Sequence, residues 1–459
     1  VRYFLNDLIS NLIVVFLFIL SVFLFGKKGV YFIGGWRIPF GINFVFDYLT
    51  SIMLIIVNLI GSMCVIFSID YMKRYTAKRY YYALFLLMLA GMNGVILTGD
   101  FFNMYVFIEI ASISSYALVA FGTEREELEA SFKYMVMGSL ATGFILFGIA
   151  IIYSKFGMLN MVLISKEISK GIDKLTKLSF FLLLSGFLIK AAAVPFHSWL
   201  PDAHPSAPAP ISAMLSGVLI KTLGIYPIIR IMLILPFSIN KIIVYLGILS
   251  MIVGVILALG QMDMKRLFAY HSISQIGYIL LGIGLATPLG IIGGVFHLLN
   301  HSLFKSLLFL TSGAVYYRIG TRDLKEMGGL KEVMPVTATS SLIGSLSISG
   351  LPPFNGFFSK LIIIVACVKA GHPIYALWAV IGSILTLSSF MKVQRFAFYG
   401  ERRNFKDVKE VPFSMKFSMV FLAVLCLVSS ILVFPEIRKN TLDKAVTLLN
   451  KMEYWSILK

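Results

Sequence analysis

Long apolar runs follow one another along the whole chain, and they restrict it to one class of fold. Thirteen of them are long enough to cross a bilayer as a helix, which takes about 20 predominantly apolar residues. Only 14% of the 459 residues are charged and the mean hydropathy is +0.89, which excludes a soluble protein of this length. We therefore predict an all-α fold, a polytopic membrane helix bundle with about 13 spans. The runs cover residues 8–25, 44–69, 80–98, 101–121, 132–154, 178–196, 208–231, 241–261, 266–285, 290–317, 335–368, 374–398 and 414–434.

The net charge of +18 is explained by where the cations lie. Lysines and arginines, Lys265 and Arg266 among them, fall mainly in the predicted loops, as the positive-inside rule describes for cytoplasmic loops, so no nucleic acid partner is expected. More of them lie on the side of the N-terminus, which favours a cytoplasmic N-terminus in the cell (cytoplasmic) membrane. No polar linker divides residues 1–459, so we predict a single transmembrane domain in contact with the lipid bilayer. The first run lacks a small-residue cleavage site and is not interpreted as a signal peptide.

No cofactor site is visible in the sequence. Cys64, Cys367 and Cys426 lie far apart in apolar runs and cannot form an iron–sulfur quartet. The chain has no haem motif, no dinucleotide fingerprint and no P-loop. We therefore expect no cofactor in this chain. Any redox chemistry or nucleotide hydrolysis would take place on another subunit. The sequence leaves open whether the chain is a subunit of an enzyme complex.

Two of the runs, the sixth and the eleventh, are interrupted in a similar way. The first is broken at Pro195 and the second over Ser349–Lys360. The segments "VPFHSW" (Val194–Trp199) and "PPFNGF" (Pro352–Phe357) share the pattern x-Pro-Phe-x-x-aromatic. An offset of five spans inverts the topology, and inverted repeats with broken helices in matching places are typical of ion-translocating bundles. We predict two inverted five-helix repeats, each with a broken helix, and a tail: a first half-channel repeat over 80–231, a second over 241–398, and a C-terminal interfacial tail over 435–459.

Ionisable side chains also lie inside the predicted spans, where a charge at mid-bilayer costs about 2.5–3.5 kcal/mol on insertion scales. Glu109 is the only carboxylate well inside a run. His297, His301 and Lys305 are spaced i, i+4 and i+8 and so share one helix face. A His-x3-His pair could bind zinc, but no acidic third ligand follows nearby and Lys305 would repel a cation. The candidate site residues, with no metal expected among them, are Glu109, Lys190, Lys221, His297, His301, Lys305 and Lys360.

Proton transfer gives these residues a physical rationale. A lysine in apolar surroundings can exchange its proton near neutral pH, a neighbouring carboxylate opposes this, and histidine titrates in the same range. A Glu–Lys pair that opens and closes is then a proton gate, and a broken helix recruits water because its backbone groups are freed. Lys190 would be a relay site that its break hydrates. The alternatives left open are snorkelling of Lys190 to the surface, a structural role for Lys305, and capping of backbone groups by His197 and His204.

The chain resembles the antiporter-type membrane subunits of respiratory complex I, of Mrp cation/proton antiporters and of membrane-bound hydrogenases. Five segments carry the resemblance: "FFNMYVFIEIASISSYALVA", "LIKAAAVPFHSWLPDAHPSAPAPISAMLSG", "KRLFAYHSISQIGY", "HLLNHSLFKSLLFLTSGA" and "SGLPPFNGFFSK". It extends over nearly the whole chain, and these motifs in this order are highly specific. A further stretch, "SAMLSGVLIKTLGIY" with lysine at 221, is most similar to the D-type Mrp subunit.

The resemblance implies a role for each candidate residue along a hydrated polar axis at the membrane midplane. Glu109 would pair with Lys190, Lys221 would be the connecting lysine, and Lys360 would be the terminal lysine of the second half-channel. His297 and His301 would be the family's histidine pair, with Lys305 beside them. The family usually has fourteen core spans with the glutamate in the fifth. Here the glutamate stands in the fourth, so we expect a first span to be missing and the present N-terminus to be cytoplasmic.

These considerations predict a transport function. The chain would translocate protons, or protons and sodium, as an antiporter-like subunit of a multisubunit complex. Its partners would be other membrane subunits and, in a redox-driven complex, a peripheral redox arm. A self-standing monovalent cation/proton antiporter and a scaffold that has lost transport are the alternatives. The scaffold is disfavoured because an idle charge in lipid only lowers stability.

Overall fold

The computed structural model describes residues 2–235, 238–401 and 408–444. The described residues fold almost entirely into helices, which confirms the all-α membrane bundle. Up to the first break the helices are α1 (Arg2–Phe23), α2 (Tyr48–Tyr71), α3 (Lys78–Leu97), α4 (Phe101–Val119), α5 (Arg125–Phe156), α6 (Met161–Ile168) and α7 (Lys174–Lys190). Between the breaks they are α8 (Leu200–Ser206), α9 (Ala209–Met214), α10 (Tyr226–Ile234), α11 (Asn240–Leu259), α12 (Met264–Gly284), α13 (Pro288–Ile319), α14 (Leu330–Val333) and α15 (Pro335–Ser349). After the second break they are α16 (Asn355–Lys369), α17 (Pro373–Val393), α18 (Phe413–Val428) and α19 (Pro435–Asn440).

Eleven helices in the described ranges are long and apolar enough to cross a membrane. The thirteen predicted runs exceed this number by two, and the two runs without such a helix are the interrupted ones. There α7 has 17 residues, and α15 and α16 have 15 each, all fewer than the about 20 residues that a spanning helix typically has. The breaks account for the whole difference, and the count of 13 spans stays a prediction.

Aspartate caps fix where several helices begin. Asp47 accepts a hydrogen bond from the amide of Thr50 at the start of α2 (2.8 Å), and Asp100 caps α4 in the same way. Such a cap satisfies one of the amide groups that the first helical turn leaves free. The second run was predicted to begin at residue 44, but α2 begins only at Tyr48, because Asp47 is its cap and a β-strand precedes it.

A small hairpin on the side where α1 ends was not predicted. Its strands β1 (Gly29–Phe32) and β2 (Asn43–Phe46) pair antiparallel. The carbonyl of Asn43 accepts from the amide of Gly99 (2.9 Å), and its side-chain oxygen accepts from Asn160 (2.8 Å). The hairpin therefore fixes the start of α4, the helix that carries Glu109.

The side of the bundle on which α1 begins is called the N-terminal side here. Lys78 at the start of α3 donates to Asp7 there (2.8 Å), and Ser414 at the start of α18 donates to Asp70 near the end of α2 (2.5 Å). Burial separates the helices into two groups. α12, α13 and the helical segment from α9 to α10 are enclosed, whereas α1, α17 and α18 are mostly exposed and form the outer surface.

The first break begins directly after Lys190, five residues before the predicted position at Pro195. Proline lacks an N–H group and disfavours helical geometry in the residue before it, so α7 cannot continue as far as Pro195. Ala192 has a positive φ of 54°, and the peptide bond before Pro195 is cis. The indole of Trp199 donates to the carbonyl of Ile189 (3.2 Å), one of the groups that the end of α7 leaves free.

The second break covers residues 350–354, inside the predicted segment 349–360. The peptide bond before Pro353 is cis, as it is at the matching proline of the first break. Gly350 has a φ of 80°, and a Cβ there would lie 3.0 Å from Cδ of Lys360. Glycine is required at this position both by the backbone conformation and by the lysine that packs on it.

The predicted C-terminal tail, 435–459, is described only in part. Its described portion contains α19, none of whose residues is buried. Residues 445–459 lie outside the described residues, so the interfacial position of the tail stays a prediction.

Candidate functional site

Lys190 ends α7 in the interior of the bundle and is only 4% exposed. Its ammonium group donates to the hydroxyl of Ser112 (2.8 Å) and to that of Tyr116 (3.2 Å), both on α4. The side chain therefore points inward, which excludes snorkelling of Lys190 in this structure. The break after Lys190 leaves its ammonium group at the point where the helix stops.

Glu109 lies on the same face of α4, because it precedes Ser112 by three residues and Tyr116 by seven. It is half-buried, and no hydrogen bond or ion pair joins it to Lys190 in the described part of the chain. The Lys190 ammonium contacts the two hydroxyls instead, although the charge of Glu109 still acts on it at longer range. The Glu109–Lys190 pair stays a prediction. Sequence reasoning missed the two hydroxyls, whose i+3 and i+7 spacing from Glu109 was the available signal.

Lys221 is fully buried where the winding of its helix changes. Two π-helical turns, Leu215–Leu219 and Lys221–Ile225, join α9 to α10. The ammonium group donates to the carbonyls of Ser216 and Gly217, each at 2.6 Å. Such π-helical turns are rare and are found frequently at functional sites.

His297 and His301 lie on one face of α13, as their spacing predicts. Their ring centroids are 6.3 Å apart and the rings are nearly parallel. His297 uses both ring nitrogens, Nδ1 with the hydroxyl of Ser359 (3.0 Å) and Nε2 with the amide oxygen of Gln275 (3.2 Å). His301 is buried, and neither of its ring nitrogens has a partner among the described residues. A buried polar atom without a partner costs about 1–3 kcal/mol, so the two ring nitrogens of His301 are costly as they stand.

Lys305 and Lys360 are buried ammonium groups held by carbonyl groups and aromatic rings. Lys305 donates to the carbonyl of Phe268 and lies 5.8 Å from the centre of its ring. Lys360 donates to the carbonyl of Ile348 (2.8 Å) and lies 4.6 Å from the centre of the Tyr278 ring. Across the described ranges, no carboxylate forms an ion pair with any of the four candidate lysines. The same ranges contain no group of three or more His, Cys, Asp or Glu side chains arranged to hold a metal ion.

The seven candidate residues form two groups inside the bundle. Glu109 and Lys190 are one group. The members of the other lie within electrostatic range of the His301 ring, and together with it they are called the central cluster: Lys221, His297, His301, Lys305 and Lys360. The structure thus buries five of the seven candidates, and the ring centroids of two of them, His297 and His301, are 6.3 Å apart.

Lys265 was predicted to be a loop cation, and the structure corrects this. Asp263 caps α12, so Lys265 falls in the first turn of that helix and is buried. Its ammonium group donates to the carbonyl of Ala207 (2.6 Å) and to the hydroxyl of Ser212 (3.4 Å). The capping aspartate two residues earlier was the sequence signal that could have placed Lys265 on a helix.

The two histidines of the first break differ. His197 is half-buried, and its Nδ1 has no hydrogen-bond partner among the described residues, so the capping alternative stays a prediction for it. His204 is fully buried against the Phe309 ring (centroids 4.6 Å apart), and neither of its ring nitrogens has a partner in the described ranges. It therefore caps no backbone group. Three ammonium groups lie within electrostatic range of its ring, those of Lys221, Lys265 and Lys305.

A charged cavity of about 440 Å³ opens on the N-terminal side beside the first turn of α12. Asp202 of α8 pairs there with Arg266 (2.7 Å), and Asp263 pairs with Arg322 (3.4 Å). Asp263 and Arg266 of the first turn of α12 line the cavity, whereas Lys265 between them is buried and is not among the lining residues.

Comparison with known proteins gives two family matches. The family described as "NADH:quinone oxidoreductase/Mrp antiporter, TM" matches residues 98–386, which include all seven candidate residues. The family described as "NADH-Ubiquinone oxidoreductase (complex I), chain 5 N-terminus" matches residues 33–82. The chain is also 36% identical over 383 residues to the D-type subunit of the Na(+)/H(+) antiporter of Alkalihalophilus pseudofirmus, a match that covers 82% of this chain and 77% of that protein.

Solved structures of membrane complexes contain chains with the same fold. A chain of the Mrp complex from Dietzia sp. superimposes with a TM-score of 0.91 at 29% identity, over 100% of this chain and 95% of that one. A chain of the membrane-bound sulfane sulfur reductase, an archaeal respiratory membrane complex, superimposes with a TM-score of 0.89 at 30% identity, over 99% and 93%. In both cases the similar chain is one component of a larger membrane assembly.

Proposed function

The chain belongs to the NADH:quinone oxidoreductase/Mrp antiporter family of membrane subunits, and on this premise we propose that it translocates protons, or exchanges protons for sodium, as one subunit of a multisubunit membrane complex. One observation carries the proposal: four ammonium groups are buried in the bundle with only neutral oxygens and aromatic rings around them. A buried charge without a counter-charge is costly, so each of these lysines gives up its proton readily after taking one. That is the behaviour a proton relay requires.

Repulsion between the lysines gives the relay a way to advance. Lys221, Lys305 and Lys360 all act on the same ring, that of His301, so a proton on one raises the energy of a proton on the next. Like charges repel strongly where the effective dielectric constant is low. A proton that arrives at one end of the central cluster therefore favours release at the other end. His297, with one ring nitrogen on Ser359 and the other on Gln275, and His301, with water, supply exchange sites between the lysines.

Glu109 and Lys190 form the gate of the first half-channel in this proposal. In the described geometry the Lys190 ammonium is bonded to Ser112 and Tyr116, and Glu109 lies one helical turn from Ser112. When the Lys190 ammonium moves toward Glu109, the negative charge of the carboxylate stabilises the protonated form of the lysine. When it returns to the hydroxyls, the proton can pass to water in the break and on to Lys221.

Access from the N-terminal side is supported by the charged cavity. A proton taken from its water reaches Lys265 in the first turn of α12, then His204, whose ring lies within electrostatic range of Lys221 and Lys305. While the Lys265 ammonium donates to the carbonyl of Ala207, it keeps its proton and the route is closed. Release through Lys360 in the second half-channel completes the path.

The proposal also covers the arrangement of the chain in the membrane. We infer a cytoplasmic N-terminus, a position in the cytoplasmic membrane, and half-channel repeats over residues 80–231 and 241–398. The matched breaks after Lys190 and over residues 350–354 support the repeats, and the cations of the loops support the orientation. The charged cavity then faces the cytoplasm.

The two related complexes favour different driving forces. Similarity to a Na(+)/H(+) antiporter component supports exchange of protons for sodium, whereas similarity to a respiratory membrane complex supports transport driven by a redox reaction. Copurification separates these cases. Nickel or iron–sulfur centres in the copurified partners indicate a redox-driven complex, and small hydrophobic partners alone indicate an antiporter. Transport by the reconstituted chain alone would instead establish a self-standing antiporter.

The proposal is tested by the Lys190→Met variant in the parent complex, reconstituted into proteoliposomes with its driving reaction assayed in parallel. We expect proton transport to be lost while the complex still assembles, because methionine fills the space but holds no proton. Lys78→Met is a matched control. Lys78 is also 4% exposed, but it pairs with Asp7 at the N-terminal side, away from the central cluster, and its loss should leave transport per assembled complex near the wild-type rate. Wild-type transport by Lys190→Met at an unchanged ion-to-turnover ratio would refute the proposed relay.

A further inference from the structure

π-Helical turns occur after both breaks, and the proposed relay uses only those after the first. After the second break, α17 continues into one π-helical turn, Gln394–Phe398, at the N-terminal side. Gln394 begins this turn and is almost fully buried. Its amide nitrogen donates to the hydroxyls of Ser341 (3.1 Å) and Ser345 (2.9 Å) on α15, but its amide oxygen has no partner among the described residues. Whichever way the amide is turned, one of its ends is left without a partner.

A buried histidine on a neighbouring helix also has one polar atom without a hydrogen-bond partner among the described residues. His271 of α12 is fully buried, and its Nε2 bonds to the hydroxyl of Ser389 (2.8 Å). Its Nδ1 has no partner in the described part of the chain. Ser389 stands five residues before Gln394 on α17, so the bonded nitrogen of His271 faces the helix that ends in the π-helical turn.

The two residues connect the central cluster to the N-terminal side. Lys305 donates to the carbonyl of Phe268, one helical turn before His271, and its charge lies within range of the His271 ring. Ser389, the partner of His271, lies on α17 and precedes Gln394 by five residues. At this end of α17 Lys392 donates to the carbonyl of Leu259. This route lies at the interface of α12, α15 and α17, whereas the route through Lys265 lies at α8 and the start of α12.

We propose that the interface of α12, α15 and α17 holds a buried water site, and that through it His271 connects the central cluster to the N-terminal side as a second access branch. The inference rests on the proposed function and deepens it. The unpaired ends of Gln394 and His271 are costly if left dry, whereas a buried water typically makes about three hydrogen bonds to such groups.

The proton step along the branch is balanced at each atom. Water at Gln394 takes a proton from water on the N-terminal side and gives one to Ser389, whose own hydroxyl proton moves to Nε2 of His271 and forms an N–H bond there. The N–H bond at Nδ1 then breaks, and its proton passes through the bound water to the neutral amine of Lys305, which becomes an ammonium group. The ring ends neutral with its tautomer reversed, and reorientation of the ring and its water resets the branch.

Two measurements on the intact complex test the branch. A structure of the wild-type complex at a resolution that shows ordered water should contain a water within hydrogen-bonding distance of Gln394 or of Nδ1 of His271. In proteoliposomes, Gln394→Leu and His271→Gln should each lower the rate of proton transport by about twofold, because the route through Lys265 still supplies protons. Since both act in one branch, the double variant should be no slower than the slower single variant.

Controls separate this inference from the proposed function. Thr386→Val removes a buried hydroxyl from the same helix, one that bonds only to the carbonyl of Gly382 in its own turn, and should leave transport unchanged. If Lys190→Met abolishes transport while Gln394→Leu and His271→Gln transport at the wild-type rate, the branch is refuted and the relay stands. If Lys190→Met has no effect either, the relay itself is refuted. A dry site in a structure that shows water elsewhere in the bundle also refutes the branch, even where the variants fail to assemble.

Discussion

Breaking a buried ion pair beside the hairpin should destabilise this bundle more than breaking any other pair in the described ranges. Arg230 of α10 donates to both carboxylate oxygens of Asp47, at 2.5 and 3.0 Å, and also to the hydroxyl of Thr50 (2.9 Å). The two charged side chains are only 4% and 6% exposed. Arg230 stands nine residues after Lys221, so the pair joins the helix of Lys221 to the hairpin that fixes the start of α4.

The geometry allows the contributions of charge and cap to be separated. Asp47→Asn keeps an oxygen that can accept from the amide of Thr50, but it removes the Asp47 charge from beside the buried Arg230, which should lower the free energy of unfolding by about 3–5 kcal/mol. Asp47→Ala also removes the cap and should cost about 1 kcal/mol more. The double variant Asp47→Asn with Arg230→Met has no stranded charge, so it should recover most of the loss.

Thermal denaturation of the purified complex in detergent at neutral pH measures this order. The melting temperature should be highest for the wild type, lower for the double variant, lower again for Asp47→Asn, and lowest for Asp47→Ala. Transport per assembled complex should stay near the wild-type rate in all of them, because no relay residue changes. An Asp47→Asn complex with the same melting temperature as the wild type would show that the pair adds no stability. A double variant less stable than Asp47→Asn would refute the stranded-charge reasoning.

The same pair predicts a pH dependence with a definite sign. Burial raises the pKa of Asp47, but the Arg230 charge and the hydrogen bonds from Arg230 and Thr50 outweigh it, so the pKa of the carboxyl is lowered overall. A lowered pKa in the folded state means that the stabilisation is complete above the unfolded pKa, about 3.9, and is lost as the pH falls through the lower folded value. The difference in stability between wild type and Asp47→Asn should therefore be constant down to about pH 5 and should shrink below about pH 4.

Three further predictions concern the relay. Tyr116→Phe and Ser112→Ala should each slow proton transport, and the pair together should slow it further, because the Lys190 ammonium then loses both hydroxyl partners; the initial rate in proteoliposomes measures this. Gly350→Ala should lower the melting temperature and the transport rate together, because alanine at a φ of 80° is strained by about 1 kcal/mol or more and its Cβ would meet Lys360 at 3.0 Å. Lys265→Met should lower proton uptake from the N-terminal side more than Lys133→Met, a substitution of an exposed lysine at the rim of the charged cavity; a pH-sensitive dye measures uptake, and equal rates would remove Lys265 from the path.

The sequence was sufficient for the class of fold, because hydropathy alone decides which segments enter a bilayer. It also located both broken helices, since a proline removes a backbone donor wherever it stands. It placed the first break at Pro195 rather than after Lys190, because proline acts on the residues before it and sequence patterns do not show how many turns are lost. The hairpin was missed because its strands have four residues each, too few for an alternating pattern to stand out.

Side-chain direction at helix ends explains why some polar residues of the proposed path were missed. Lys265 looks like a loop cation when loops are drawn from hydropathy, because a single positive charge next to an apolar run fits the positive-inside rule whether it faces water or protein. The distinction lies in one capped turn: Asp263 starts α12 early enough that Lys265 rotates onto the enclosed face. At Lys221 the π-helical turns shift the register of all later side chains, and no propensity scale encodes that shift. The residues found from the sequence are thus those for which burial alone is unusual. Those that were missed became unusual only once the helices were assembled, and the variants of Lys265, His271 and Gln394 are the ones that test whether the proton path includes them.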